Sequence, residues 1–171
     1  MGHDTLPQPC LQFAETAHWR LYQLEPIERA DYARQSDLLV GQSIHPAMWE
    51  NAHTNGRFDS SSYSRFGEIF CYVKVDGIDG LEGSKFLDKS AIEDAIDDAL
   101  ALPKIGCVIG GGAGIRYSYI DLAVVDVDRA EELIVAVLRE GKIPRRTWLL
   151  FYDTSLEHNW IGIWDDTGPP P

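Results

Sequence analysis

Asp121 is the polar residue of this chain whose neighbours suit it least. It stands in Arg116-Tyr117-Ser118-Tyr119-Ile120-Asp121-Leu122, an alternating run that reads as a strand. Tyr117, Tyr119 and Asp121 share one side of that strand, while Ile120, Leu122 and Val124 share the other. A second alternating run, Ile69 to Val75, puts Phe70, Tyr72 and Lys74 on one side. If the two strands are neighbours, an acid, a base and several rings meet on one face. The plain expectation is an ion pair or hydrogen bond between Lys74 and Asp121. The chemical one makes Asp121 and Lys74 the catalytic candidates, with aromatic surroundings raising the carboxyl towards a general base's range. Tyr72, Tyr117, Tyr119, Arg116 and Trp148 are then the candidate binding residues.

Other motifs carry less. Gly110-Gly111-Gly112-Ala113-Gly114 has the composition of a phosphate loop. However, Ile115 stands where a dinucleotide fingerprint needs its third glycine, and a strand rather than a helix follows. The run is expected to be a hairpin between two strands, with Arg116 at its base. His3, His18, His45, His53 and His158 have no metal-site spacing, so no metal and no cofactor are expected. Cys10, Cys71 and Cys107 form no CxxC, and Cys71 and Cys107 fall in apolar strand patterns. That pattern predicts buried free thiols pointing into the core, and a reducing compartment. Lys142-Ile143-Pro144-Arg145-Arg146 is a basic knot after a helix, suited to complement the helix dipole.

The elements that position these residues follow from periodicity. Ser90-Ala91-Ile92-Glu93 reads as a capping box, and Ile92, Ala95, Ile96, Ala99 and Leu100 make a helical stripe that Pro103 closes. A strand is predicted at Ile105–Ile109. Asp128 to Glu131 starts a second helix, with Ala130, Leu133, Ile134, Val137 and Leu138 on one side and Gly141 at its end. A fourth strand is predicted at Thr147–Tyr152, where both alternating sets are apolar and the sides cannot be assigned. The order is β-α-β-β-α-β, an α+β ferredoxin-like sandwich with an antiparallel sheet and both helices on one face. Residues 67–164 would form that domain. Residues 1–66 read as a loop-rich extension packing on it, with a short strand at Trp19–Leu24 and a helix from Pro26 to about Gly41. Trp160 to Trp164 is a fifth strand or a cover, and residues 165–171 are expected to fray.

The chain has 171 residues and a formal net charge of −12, which opposes nucleic acid and anionic membranes. No apolar stretch is long enough to span a bilayer, and Met1-Gly2-His3-Asp4 does not open a secretory leader. A cytoplasmic location is therefore expected. A sheet with rings on its two central strands resembles RNA-recognition domains in architecture, but the Gly-Phe-Gly-Phe run is missing and the charge is wrong. The uncovered aromatic face is expected to be closed by the extension or the tail, by a second subunit, or by a bound ligand or partner. The leading expectation is a non-enzymatic module binding a protein partner, or a second copy, through an acidic, aromatic-bearing surface, with the size and charge of immunity proteins. The alternative is a small-molecule sensor or small acid/base enzyme around Asp121.

Overall fold

The computed structural model describes the backbone of residues 18–24 and 37–40, and residues 41–54, 57–77, 80–114 and 116–171. In chain order the elements are β1 (His18–Leu24), β2 (Asp37–Ser43), α1 (Pro46–Thr54), β3 (Ile69–Asp76) and α2 (Lys89–Ala101). Then follow β4 (Gly106–Ala113), β5 (Tyr117–Val124), α3 (Val127–Glu140), β6 (Thr147–Phe151) and β7 (Trp160–Gly162). The strands form one seven-stranded sheet in the order β1-β2-β4-β5-β3-β6-β7. Every neighbouring pair is antiparallel. The protein is thus an α+β fold with an open antiparallel sheet. No helix among the described residues is long and apolar enough to cross a membrane.

The predicted stripes explain one core. Ile92, Ile96 and Leu100 of α2 and Ala130, Ile134 and Leu138 of α3 pack on Cys71, Val73, Val75, Ile120, Leu122 and Val124 of the sheet. Each large side chain sealed there contributes about 2 kcal/mol by leaving water. The helices start earlier than their sequence signals. The carboxylate of Asp88 accepts from the Ala91 amide, and that of Asp126 accepts from the Arg129 amide. Ser90 lies inside the first turn of α2, and Glu93 pairs with Lys89 one turn back instead of closing a capping box.

Several expectations need correction. The segment read as loop-rich supplies two strands and a helix to the described structure. Asp37–Ser43 is strand where a helix was expected to reach Gly41, and the part of that helix before Asp37 lies outside the described residues. Gly110 to Gly112 are strand, paired with β5 on one side and β2 on the other, and the turn falls after Ala113. The two expected helices do share one face, but a third helix, α1, lies on the other. Met48 of α1 joins Phe58, Phe70, Cys107, Ile109 and Ala123 in a second core on the opposite side of the sheet. Cys107 therefore lies away from α2 and α3. It is disulfide-bonded, which removes the argument for a reducing compartment. Cys71 is free, and burial raises its thiol pKa.

The tail expected to fray is tied down. The Trp148 indole donates to the Gly168 carbonyl at 2.7 Å, and Thr167 donates to the Arg145 carbonyl at 2.9 Å. Arg139 reaches Asp165 at 2.6 Å, and Arg145 pairs with Asp166.

Asp76 anchors the other end of the central strands. It is buried, and its two oxygens accept from Nε and Nη2 of Arg116 at 2.9 and 2.7 Å. Arg146 Nε donates to the same carboxylate at 2.7 Å, and its Nη2 donates to the Tyr117 hydroxyl at 3.0 Å. One carboxylate thereby joins the end of β3 to the starts of β5 and β6. Replacing Asp76 by Ala removes the carboxylate that Arg116 and Arg146 share, and a loss of about 3 kcal/mol is expected in urea unfolding. Arg129→Ala, which breaks an exposed pair with Glu132, should change stability by less than about 0.5 kcal/mol.

Candidate functional site

Asp121 lies in the middle of β5, opposite Tyr72 of β3 and, across a register shift, Gly110 of β4. Ile120 and Leu122 are committed to the α2–α3 core, so alternation turns Asp121 to the α1 side. The glycines beside it decide what can approach. A Cβ at Gly110 would lie 2.2 Å from the Gln42 carbonyl, so β2 can close on β4 only because that position is bare. A Cβ at Gly41 would meet the Trp49 ring at 2.5 Å, so glycine there admits the indole. Trp49 fills that space and is only 1% exposed.

What remains is a cavity of about 380 Å³. Trp49, Ala52 and His53 of α1 form one wall. Tyr72 and Lys74 of β3, Gly112 of β4, and Tyr119 and Asp121 of β5 form the sheet side. Phe151, Tyr152 and Pro171 complete the lining. The rings are close-set, with centroids 4.7 Å apart for Tyr72 and Tyr152, 6.2 Å for Tyr72 and Tyr119, and 4.8 Å for Trp49 and His53. Tyr152 is held where the chain leaves β6. Its amide donates to the Phe70 carbonyl at 3.1 Å. The next residue, Asp153, accepts from the Ser60 amide at 2.7 Å and from the Ser60 hydroxyl. Ser60 Oγ in turn accepts from the Phe70 amide at 3.0 Å.

The Tyr152 hydroxyl donates to Asp121 Oδ1 at 2.7 Å. Among the described residues Oδ2 is buried with no hydrogen-bond partner in good geometry, while the Trp49 indole near the carboxylate favours its charged form. Burial dominates and raises the Asp121 pKa to about 6, against the opposing pull of Tyr152 and Trp49. Burial and then the Asp121 charge push Tyr72 up to about 12. Tyr152 is raised well above its ordinary value for the same reasons. Burial lowers His53 to about 4, so it is neutral at pH 7. The site at neutral pH is thus a largely ionised carboxylate in an aromatic chamber, able to accept a hydrogen bond or exchange a proton. No group of three metal-binding side chains occurs among the described residues.

The candidates named from sequence divide. Asp121, Lys74, Tyr72 and Tyr119 all line the cavity. The hydrogen bond of Asp121 goes to Tyr152, and the Lys74 ammonium lies 4.1 Å from the centre of the Tyr117 ring. Tyr117 and Trp148 are buried beside that ammonium, at 1% and 0% exposure, and present no surface. Arg116 belongs to the Asp76 cluster. On β6, Trp148 and Leu150 pair with Lys74 and Tyr72, which assigns that set and Tyr152 to the cavity side. Trp49, His53 and Tyr152 were missed. Trp49 and His53 are four residues apart and share a helix face, a spacing that becomes visible only once residues 46–54 are known to be helical. No protein-family model, no curated protein and no solved structure matches this chain.

Asp121 and His53 affect stability in opposite directions on acidification. Asp121 has a raised folded pKa, so its contribution is fully present below about pH 3.8 and is lost as pH rises through about 6. His53 has a lowered folded pKa, so its contribution is present above about pH 6.5 and is lost as pH falls through about 4. Each swing is worth about 2 kcal/mol between pH 7 and pH 4, and in the wild type the two offset each other. Relative to wild type, Asp121→Asn should lose stability on acidification over that range and His53→Gln should gain it, as read by urea unfolding at several pH values. Parallel wild-type and variant profiles would refute the burial argument.

Proposed function

We propose that this chain is a small-molecule-binding protein and that the Asp121 cavity is its binding site. The observation that carries this reading is a fully buried carboxylate, one of whose oxygens has no partner of good geometry among the described residues, lining a cavity large enough for a small organic ligand. Its volume of about 380 Å³ falls at the lower end of the range of about 300–1,000 Å³ usual for such sites. The lining is also of the usual kind, mostly rings with a few polar groups that can orient a guest. Asp121 would orient the ligand and is the group that would exchange a proton with it. Tyr152 holds the carboxylate in place, and Tyr72, Tyr119 and Trp49 supply contact area.

We propose also that β3-α2-β4-β5-α3-β6 is a ferredoxin-like unit, enlarged by β1 and β2 at one edge and β7 at the other. The spatial order β4-β5-β3-β6, with one helix between β3 and β4 and one between β5 and β6, supports that assignment. A second reading, a module binding a basic protein partner, draws on the net charge of −12 and on exposed Asp94, Asp98, Asp128 and Glu132 along α2 and α3. The aromatic part of that surface has less support, since Tyr117 and Trp148 are buried.

A thermal-shift screen of small metabolites against the full chain tests the binding reading. Compounds that raise the wild-type melting temperature should lose that effect in Ala52→Phe, which fills the cavity from α1, and lose part of it in Ala52→Leu. Hits that stabilise the folded variants as well as the wild type would place binding elsewhere and overturn the proposal.

A further inference from the structure

The Asp121 cavity also carries an indication of ligand charge. We infer that its occupant is a small primary amine, bound as the ammonium against the Asp121 carboxylate, with a neutral or anionic far end. This inference rests on the cavity being a ligand site.

The argument starts from what the carboxylate lacks. Asp121 is 1% exposed and lines the cavity; Tyr152 donates to Oδ1, the Trp49 indole adds support to the charge, and among the described residues Oδ2 has no partner of good geometry. A buried carboxylate in that condition is costly, and a cation is what offsets the cost most fully. An anion would be repelled. A neutral hydroxyl or amide would add one hydrogen bond, whereas an ammonium adds a charge-assisted one, roughly twice as strong. The walls favour the same guest. Tyr72, Tyr119, Tyr152 and Trp49 all line one chamber, and aromatic rings attract desolvated cations. His53 is neutral at pH 7 and does not oppose it.

Lys74 sets the polarity of the other end. It is diagonal to Asp121 across the β3–β5 pair, since Tyr72 faces Asp121 and Lys74 faces Tyr119. Such positions are about 7–8 Å apart at the backbone. Its ammonium sits 4.1 Å from the centre of the Tyr117 ring and 6.0 Å from that of Trp148. The chamber therefore runs from negative at Asp121 towards positive at Lys74. A guest with an amine at one end and a neutral or acidic group at the other follows that gradient, and a diamine meets Lys74 with its second charge.

Calorimetric titration of the full-length protein at pH 7.5 with n-butylamine, 4-aminobutyrate, 1,4-diaminobutane and n-butanol tests this. The amine and the amino acid should bind at least tenfold more tightly than the alcohol, and the diamine more weakly than either amine. Asp121→Asn should reduce amine affinity at least tenfold and leave n-butanol unchanged. Asp121→Glu, which keeps the charge, should retain part of the amine preference. Equal binding of alcohol and amine, or amine binding that survives Asp121→Asn, would overturn the inference. So would the absence of amine binding in a protein whose screened ligands are blocked by Ala52→Phe, and in that case the cavity would still be a ligand site. If neither amines nor any screened compound respond to Ala52→Phe, the binding-site reading fails with it.

Discussion

β5 is covered on both sides, and the other features follow from that. Ile120, Leu122 and Val124 are sealed beneath α2 and α3, while Tyr117, Asp121 and Ala123 are sealed on the side of α1. A strand buried twice normally carries apolar residues throughout. Here one position is a carboxylate, and a slip of one residue would drive it under the helices in place of Ile120 or Leu122. The hydrophobic set on the helix side therefore holds the acid in the second layer. The desolvation of Asp121 is only partly offset by Tyr152, so the group is poised between charged and neutral forms instead of being locked as an ion.

The contrast with Asp76 shows what a purely structural carboxylate looks like in the same sheet. Asp76 is also buried, but two guanidiniums occupy both of its oxygens and tie three strands together. Nothing there is left for a ligand. Asp121 has a phenol on one oxygen, no well-aligned partner on the other among the described residues, and a cavity beside it. The difference lies in partners, because both acids sit on central strands and both are almost inaccessible to water. Arg116 shows the same point from the basic side: it spends its planar fork on Asp76 and is unavailable as a recognition residue.

Much of the architecture was legible in advance. The stripes of α2 and α3 and the alternation of β3 and β5 are period signals strong enough to survive any tertiary context. The face assignment that brings Tyr72, Tyr119 and Asp121 together followed from them. Less was legible wherever a residue's meaning depends on a distant neighbour. Gly110 to Gly112 look like a loop by composition, yet they are strand: a bare backbone lets β2 approach at Gly110 and β5 at Gly111. Residues 46–54 carry weak periodicity, and only docking on Phe70 and Ile109 makes their helix worth forming. Trp49 and His53 were hidden for that reason.

The amino-acid order by itself determined which side chains share a strand face and which helices cover the opposite one, because backbone periodicity is local. Tertiary structure alone decided that α1 closes over the second face, that Tyr152 rather than Lys74 holds the acid, and that a chamber remains between them. Those outcomes depend on the meeting of segments many residues apart, and which segments meet is set by packing of the whole chain.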